Sequence, residues 1–165
     1  MSADHLVRRN AGGGSTRAAV GVAGLPAAPG LQTVLVTCMD TRIDPAVVFG
    51  LKPGDVHVLR NAGGVVTEDV VRSIVVSQRK LGTREVVLVR HTGCGMATIT
   101  DEGFAGELQA ATGQRPPWPV HAFADAAAGV RADVERLRAD PFVLPDTPVH
   151  GYVLDIAAFT LTPCT

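Results

Sequence analysis

From about residue 33 onward, short apolar runs alternate with longer amphipathic stretches. Thr33-Val34-Leu35-Val36-Thr37-Cys38 is a β-branched apolar run that stops on a polar cluster, which predicts a strand. Asp55 to Arg60 predicts a second strand: it follows the turn signal Lys52-Pro53-Gly54 and ends at Asn61-Ala62-Gly63-Gly64. Between Val66 and Leu81, Val66, Val70 and Ile74 recur at helical spacing, supported by Val71 and Val75. Thr67 suits the cap of that helix, Glu68 and Asp69 its positive end, and Gly82 its stop.

Glu85 to Arg90 is nearly continuous in apolar residues, as expected of a strand covered on both faces. It runs directly into His91-Thr92-Gly93-Cys94-Gly95-Met96. A helix is predicted over about Ala97 to Ala111, then a loop rich in proline at Pro116, Pro117 and Pro119. A last helix from Ala126 to Ala139 puts Val130, Val134 and Leu137 on one face, with Asp125 as its cap and Pro141 beyond its end. His150 to Ala157 reads as a closing strand. The alternation predicts an α/β fold with a mostly parallel central sheet flanked by helices. Residues 31–165 form one domain in this reading. Residues 1–30, with Gly12-Gly13-Gly14, Pro26 and Pro29 and no sustained period, read as a flexible N-terminal arm.

Composition narrows the function. A chain of 165 residues with 46% hydrophobic and 19% charged side chains builds a true core. Fifteen basic against sixteen acidic side chains, with only 4% aromatics, give no general attraction to nucleic acid. No apolar run approaches the roughly 20 residues needed to span a bilayer, and no compact apolar leader follows basic residues, so no membrane partner and a cytoplasmic location are expected. Cys38, Cys94 and Cys164 make a poor disulfide framework and leave thiols free for metal.

In doubly wound sheets, functional groups collect beyond the carboxyl ends of the strands. Three such ends carry polar clusters here: Cys38 to Arg42, Arg60 to Gly64, and His91 to Cys94. His91-x-x-Cys94 is a chelating spacing that Gly93 and Gly95 allow to turn tightly. With Cys38 it makes a Cys₂His set, three protein ligands with a fourth position open, and these donors suit zinc better than magnesium or calcium. Taken singly, each cysteine could be a small buried apolar residue and His91 a structural histidine. A closed site with a fourth protein ligand is the other reading, but Cys164, His57, His121 and His150 lack a comparable setting. Asp40 follows Cys38 by two residues and so falls on the same side of an extended strand end, as does Arg42, whose guanidinium can clamp the carboxylate and keep it ionised.

Cys38-x-Asp40-x-Arg42 followed by His91-x-x-Cys94, with Arg60-Asn61-Ala62-Gly63 between them, resembles the β-carbonic anhydrases, in particular their short bacterial branch. The likeness runs from Thr33 to about Ala157. It implies one Zn²⁺ per chain on Cys38, His91 and Cys94, a catalytic Asp40 and Arg42 dyad beside the open position, and a homodimer or dimer-built tetramer. Asn61, Gly63 and Gly95 are the further candidates for the substrate pocket. The activity implied is reversible hydration of carbon dioxide to bicarbonate and a proton, with zinc activating water to hydroxide. Hydrolysis of carbonyl sulfide or carbon disulfide at the same site is the nearest alternative, and a zinc or redox-sensing module that is not an enzyme is a more distant one. A zinc alcohol dehydrogenase would need G-x-G-x-x-G after a strand, and a base deaminase H-x-E with P-C-x-x-C; both are absent.

Overall fold

The computed structural model describes residues 3–11 and 22–165. The arm reading for 1–30 therefore falls partly outside the described residues. Within them, Ala3–Arg9 forms a short helix, α1, which the absence of a sustained period in the sequence did not suggest. Its seven residues are too few to display a helical repeat. From residue 22 the chain lies against the domain: Gly30 N–H donates to Gly54 O at 2.8 Å, Leu31 N–H to Asp55 O at 2.9 Å, and His57 Nε2 lies 2.9 Å from Ala27 O.

The first strand, β1, spans Thr33–Cys38 and is followed by a short helix, α2, over Pro45–Phe49. Then come β2 (Val56–Asn61), α3 (Glu68–Leu81), β3 (Glu85–His91), α4 (Asp101–Thr112), α5 (Ala126–Ala139), β4 (Val149–Asp155) and β5 (Thr160–Pro163). The sheet order is β2-β1-β3-β4-β5, with β2, β1, β3 and β4 parallel and β5 antiparallel to β4. The mostly parallel α/β fold expected from the sequence is the one observed. The three strand ends bearing polar clusters are immediate neighbours, with β1 in the middle.

Local chemistry explains the boundaries. Thr67 Oγ1 accepts from Val70 N–H at the start of α3, and Gly82 ends it in the left-handed region at φ 76°. Asp125 accepts from Ala127 and Ala128 N–H and starts α5 where expected. The helix expected from Ala97 instead begins at Asp101. A 3-10 turn, Gly95–Thr98, comes first, Ile99 is extended, and the Thr100 hydroxyl accepts from Gly103 N–H as the true cap. The closing strand stops at Asp155 instead of Ala157, because Asp155 Oδ1 accepts from Ala157 and Ala158 N–H and turns the chain into β5.

One sheet face packs Val34, Val36, Val86, Leu88 and Val149 against α3 and α5 through Val70, Ile74, Val130, Val134 and Leu137. The other gathers Leu35, Ile43, Val89 and Leu154 with Cys38 and Cys94. Half-buried Val48, Phe49, Val56, Val87, Tyr152 and Ile156 surround this second cluster, so that face is thinly covered. Among the described residues, no helix is long and apolar enough to cross a membrane.

Candidate metal centre

Parallel strands deliver their carboxyl ends to one edge of the sheet, and here that edge carries the chemistry. Cys38 is the last residue of β1, paired with Asn61 at the end of β2. His91 is the last residue of β3. The chain then turns through Gly93, at φ 63°, and returns Cys94 toward the same point. That left-handed conformation is the one position in this turn where glycine is required.

The result is a buried trio. One ligand atom from each of Cys38, His91 and Cys94 lies within 4.8 Å of the others, and all three residues are buried. The two sulfurs are 3.9 Å apart. A disulfide would need about 2 Å, whereas two thiolates each about 2.3 Å from one tetrahedral zinc stand roughly 3.8 Å apart. His91 Nδ1 lies 2.9 Å from Thr92 O, and because a carbonyl only accepts, the proton belongs on Nδ1. Nε2 is left with its lone pair, buried and without a hydrogen-bond partner. An orphaned imidazole nitrogen facing two thiols fits a thiophilic metal.

The electrostatics agree with that fit. Burial works against ionising Cys38, but the His91 ring beside it, the N–H groups of Asp40 and Gly63 and the charge of His91 outweigh burial and bring the thiol down to about 7. Cys94 is pushed up, first by burial and then by the neighbouring Cys38, although Met96 N–H donates to it. Contact with the Cys38 sulfur raises His91 against the opposing effect of burial.

Asp40 stands at the mouth of the trio, with Oδ2 3.8 Å from His91 Nε2. Arg42 grips it from the outer side: Nε donates to Oδ1 at 2.9 Å, Nη2 to Oδ2 at 2.7 Å, and the backbone N–H to Oδ1 at 3.0 Å. Those bonds hold the Asp40 carboxyl well below the usual carboxylate range. Arg42 Nη2 also donates to Gly93 O at 3.0 Å, which ties the dyad to the turn carrying Cys94. Arg60 was singled out in the sequence only as part of a segment. Its Nε donates to Cys38 O at 2.9 Å and its Nη2 to Asp40 O at 2.8 Å, so it braces the strand end that bears both residues.

The pocket candidates differ in how they are used. The Asn61 amide is taken up by its own turn: Nδ2 donates to Val65 O and Oδ1 accepts from Val65 N–H, both at 2.8 Å. Gly63 sits under other side chains, since a β-carbon there would stand 2.9 Å from Phe123 Cε1 and 3.1 Å from Met96 Cγ. Nothing lies within 4 Å of a β-carbon built at Gly95. Gly64 was not anticipated: its φ is 62°, and a β-carbon would come within 2.9 Å of Cys38 N and Thr37 C. Only glycine lets that turn lie against the end of β1.

Among the described residues, the one group of three or more metal-binding side chains is this trio. His57 is engaged by Ser77 and Ala27, His150 lies 3.0 Å from Glu85, and Cys164 Sγ approaches Thr162 O. None of them supplies a fourth ligand.

A family model described as carbonic anhydrase matches residues 33–118. β-Carbonic anhydrase 1 of Mycobacterium tuberculosis is 45% identical over 141 residues, covering 86% of each chain. The crystal structure of carbonic anhydrase from Streptococcus mutans superposes with a TM-score of 0.90 at 33% identity, covering 100% of both chains. A carbon disulfide hydrolase of an Acidianus strain is 44% identical over 71 residues, 43% of this chain and 35% of that relative.

Proposed function

The chain belongs to the β-carbonic anhydrases, and from that premise we propose that it hydrates carbon dioxide reversibly to bicarbonate and a proton. The observation that carries this reading is the convergence of Cys38, His91 and Cys94 within 4.8 Å, with a clamped carboxylate, Asp40, 3.8 Å from His91 Nε2. Cys38 Sγ, Cys94 Sγ and His91 Nε2 would hold one zinc ion per chain. When bound, zinc supplies Lewis-acid activation of water close to neutral pH.

The remaining work falls to the protein. Asp40 accepts a hydrogen bond from the water that reacts and so turns a lone pair toward the carbon of carbon dioxide. Arg42 keeps Asp40 ionised, so that it accepts this hydrogen bond without capturing the proton, and with both carboxylate oxygens engaged it holds Asp40 away from the ligand set. Two thiolates would donate more charge to a metal than imidazoles do and so temper its activation of water, and the N–H donors on the sulfurs would offset part of that charge. Gly95 lets backbone line the approach to the reacting atoms, while Asn61, by closing its turn, and Gly63, packed under Phe123 and Met96, shape the wall behind it.

The similarity to a carbon disulfide hydrolase supports a second reading, hydrolysis of carbon disulfide or carbonyl sulfide at the same centre. The thinly covered sheet face, with Val48, Phe49, Val87 and Tyr152 half-buried, supports a homodimer or dimer-built tetramer. We place the enzyme in the cytoplasm, with residues 31–165 as its catalytic domain. Stopped-flow hydration of carbon dioxide from pH 6 to 9, run beside carbonyl sulfide hydrolysis on the same metal-assayed preparation, tests the activity. A protein holding about one zinc per chain but inert toward carbon dioxide even at the alkaline end would overturn it.

A further inference from the structure

The largest buried polar feature outside the ligand set lies one residue from His91. Strand alternation sends Arg90 to the face opposite His91, beneath α5. There it is buried, and its Nη2 donates to Asp133 Oδ2 at 2.7 Å. The same carboxylate oxygen accepts Val66 N–H at 3.1 Å, so Asp133 ties α5 to both β3 and the turn that follows β2. Room for the guanidinium comes from Gly129 at the end of the first turn of α5: a β-carbon there would stand 1.8 Å from Arg90 Nη1. A glycine in a helix interior is unfavourable by itself, so its presence marks the space as needed.

Arg90 also lies over the Phe123 ring, 4.3 Å from its centroid. Phe123 reaches the metal centre by two routes. Its Cε1 lies above Gly63, and its N–H donates to Met96 O at 3.4 Å. Gly63 N–H is a donor to the Cys38 sulfur, and Met96 N–H is a donor to the Cys94 sulfur. The Phe123 ring thus lies against the segment whose amide supports Cys38, the Phe123 backbone is bonded to the segment whose amide supports Cys94, and a buried ion pair fixes that ring.

We propose that Arg90, Asp133 and Phe123 form a positioning unit for the thiolate ligands, holding Gly63 and Met96 where their N–H groups bond Cys38 and Cys94. The proposal rests on the reading of the trio as a zinc site. None of the three touches a reacting atom. Their effect is to set how much charge the sulfurs give to a metal and how well the donors are aligned before it binds. A buried Arg–Asp pair adds little net stability compared with apolar side chains of the same volume, which suits a role in fixing geometry.

Phe123→Leu tests it, because Phe123 is half-buried and packs against the second core without belonging to its fully buried set, so leucine keeps an apolar side chain there while removing the ring. The protein is stripped of metal and titrated with Co²⁺ and, separately, with Zn²⁺ against a chromophoric chelator. Phe123→Leu is expected to move the sulfur-to-cobalt charge-transfer band to lower energy, since sulfurs that lose N–H donors become more electron-rich. It should also weaken zinc binding by about tenfold or more. Phe123→Tyr, which keeps the ring, restores both. Val143→Ala, in the core facing α3 and α5, lowers the melting temperature and moves neither. A Phe123→Leu protein with the wild-type band and wild-type zinc affinity overturns the positioning role. A wild-type protein that takes up neither metal at the trio overturns the zinc reading itself, and this proposal with it.

Discussion

Replacing Asp40 by asparagine tests the mechanism with the smallest change of shape. In the wild type, Arg42 donates three hydrogen bonds to the carboxylate, two to Oδ1 and one, at 2.7 Å, to Oδ2. Asparagine keeps an acceptor at Oδ1, so the backbone and Nε bonds survive. At the other position it presents an NH₂ group, which faces Arg42 Nη2 donor to donor. That position is also the one 3.8 Å from His91 Nε2, the side from which a reacting water would be oriented. The substitution therefore turns the acceptor at the mouth of the centre into a donor while leaving Cys38, His91 and Cys94 unchanged.

Loss of a positioned proton acceptor lowers rates by about 10²- to 10⁴-fold, or roughly 3–5 kcal/mol in the barrier. Folding should hardly change, because Arg42 is 53% exposed and a pair of this kind contributes little to stability. The expected result of stopped-flow hydration, with zinc content assayed on the same sample, is a metal-loaded protein that melts near the wild-type temperature and turns over at least a hundredfold more slowly. Asp40→Asn with full zinc occupancy and an undiminished rate would remove Asp40 from the mechanism.

Gly129→Ala should destabilise the protein although helix propensity alone favours alanine by about 1 kcal/mol, because the new methyl collides with Arg90 Nη1; a rise in urea midpoint would contradict the packing described. Leu137→Ala removes a fully buried side chain between α5 and the sheet, and about 2–5 kcal/mol of unfolding free energy should be lost. A loss below about 1 kcal/mol would mean that this core collapses freely around the gap. Asp125→Ala removes the cap of α5, whose carboxyl is held low by Ala128 and Ala127 N–H. A depressed native value means that its contribution is present above the unfolded carboxyl value near 3.9 and disappears as the pH falls. The difference in melting temperature between Asp125→Ala and wild type should therefore be seen at pH 7 and shrink below about pH 4. A difference that grew in acid would refute the assignment.

The parts legible in the sequence are those written in local period or local spacing. β1 and β3 announced themselves as apolar runs, α3 and α5 by their spacing and caps, and the ligand set by His91-x-x-Cys94 with Cys38 at another strand end. Neighbouring strands then did what parallel topology requires and brought those ends together. Elements too short or too exposed to show a period were missed. α2 has five residues, and its evidence lay only in Asp44-Pro45 at one end and Gly50 at the other. β5 is exposed throughout and includes Pro163, tolerable on an edge strand but unreadable as one.

The supporting shell of the site stayed hidden for a different reason. Its members are joined by contacts that have no local pattern: Arg90 meets Asp133 across 43 residues, and Asp133 meets Val66 across 67. Read along the chain, Arg90 is merely the polar exit of an apolar strand. Read through the strand's two-residue alternation, it must share a face with Val86 and Leu88, both of which pack beneath α5. A charge sent to that face requires a partner there, because an unpaired buried guanidinium would be far more costly than the apolar residue it replaces. Asp133 is buried on α5 for that reason, and Gly129 leaves the space between them. The alternation that sends Arg90 inward also sends His91 to the opposite side, where its Nε2 faces Cys38 and Cys94. The geometry of the ligand and that of its support are therefore set by the same strand, one residue apart, and a shift of register in β3 would disrupt both together.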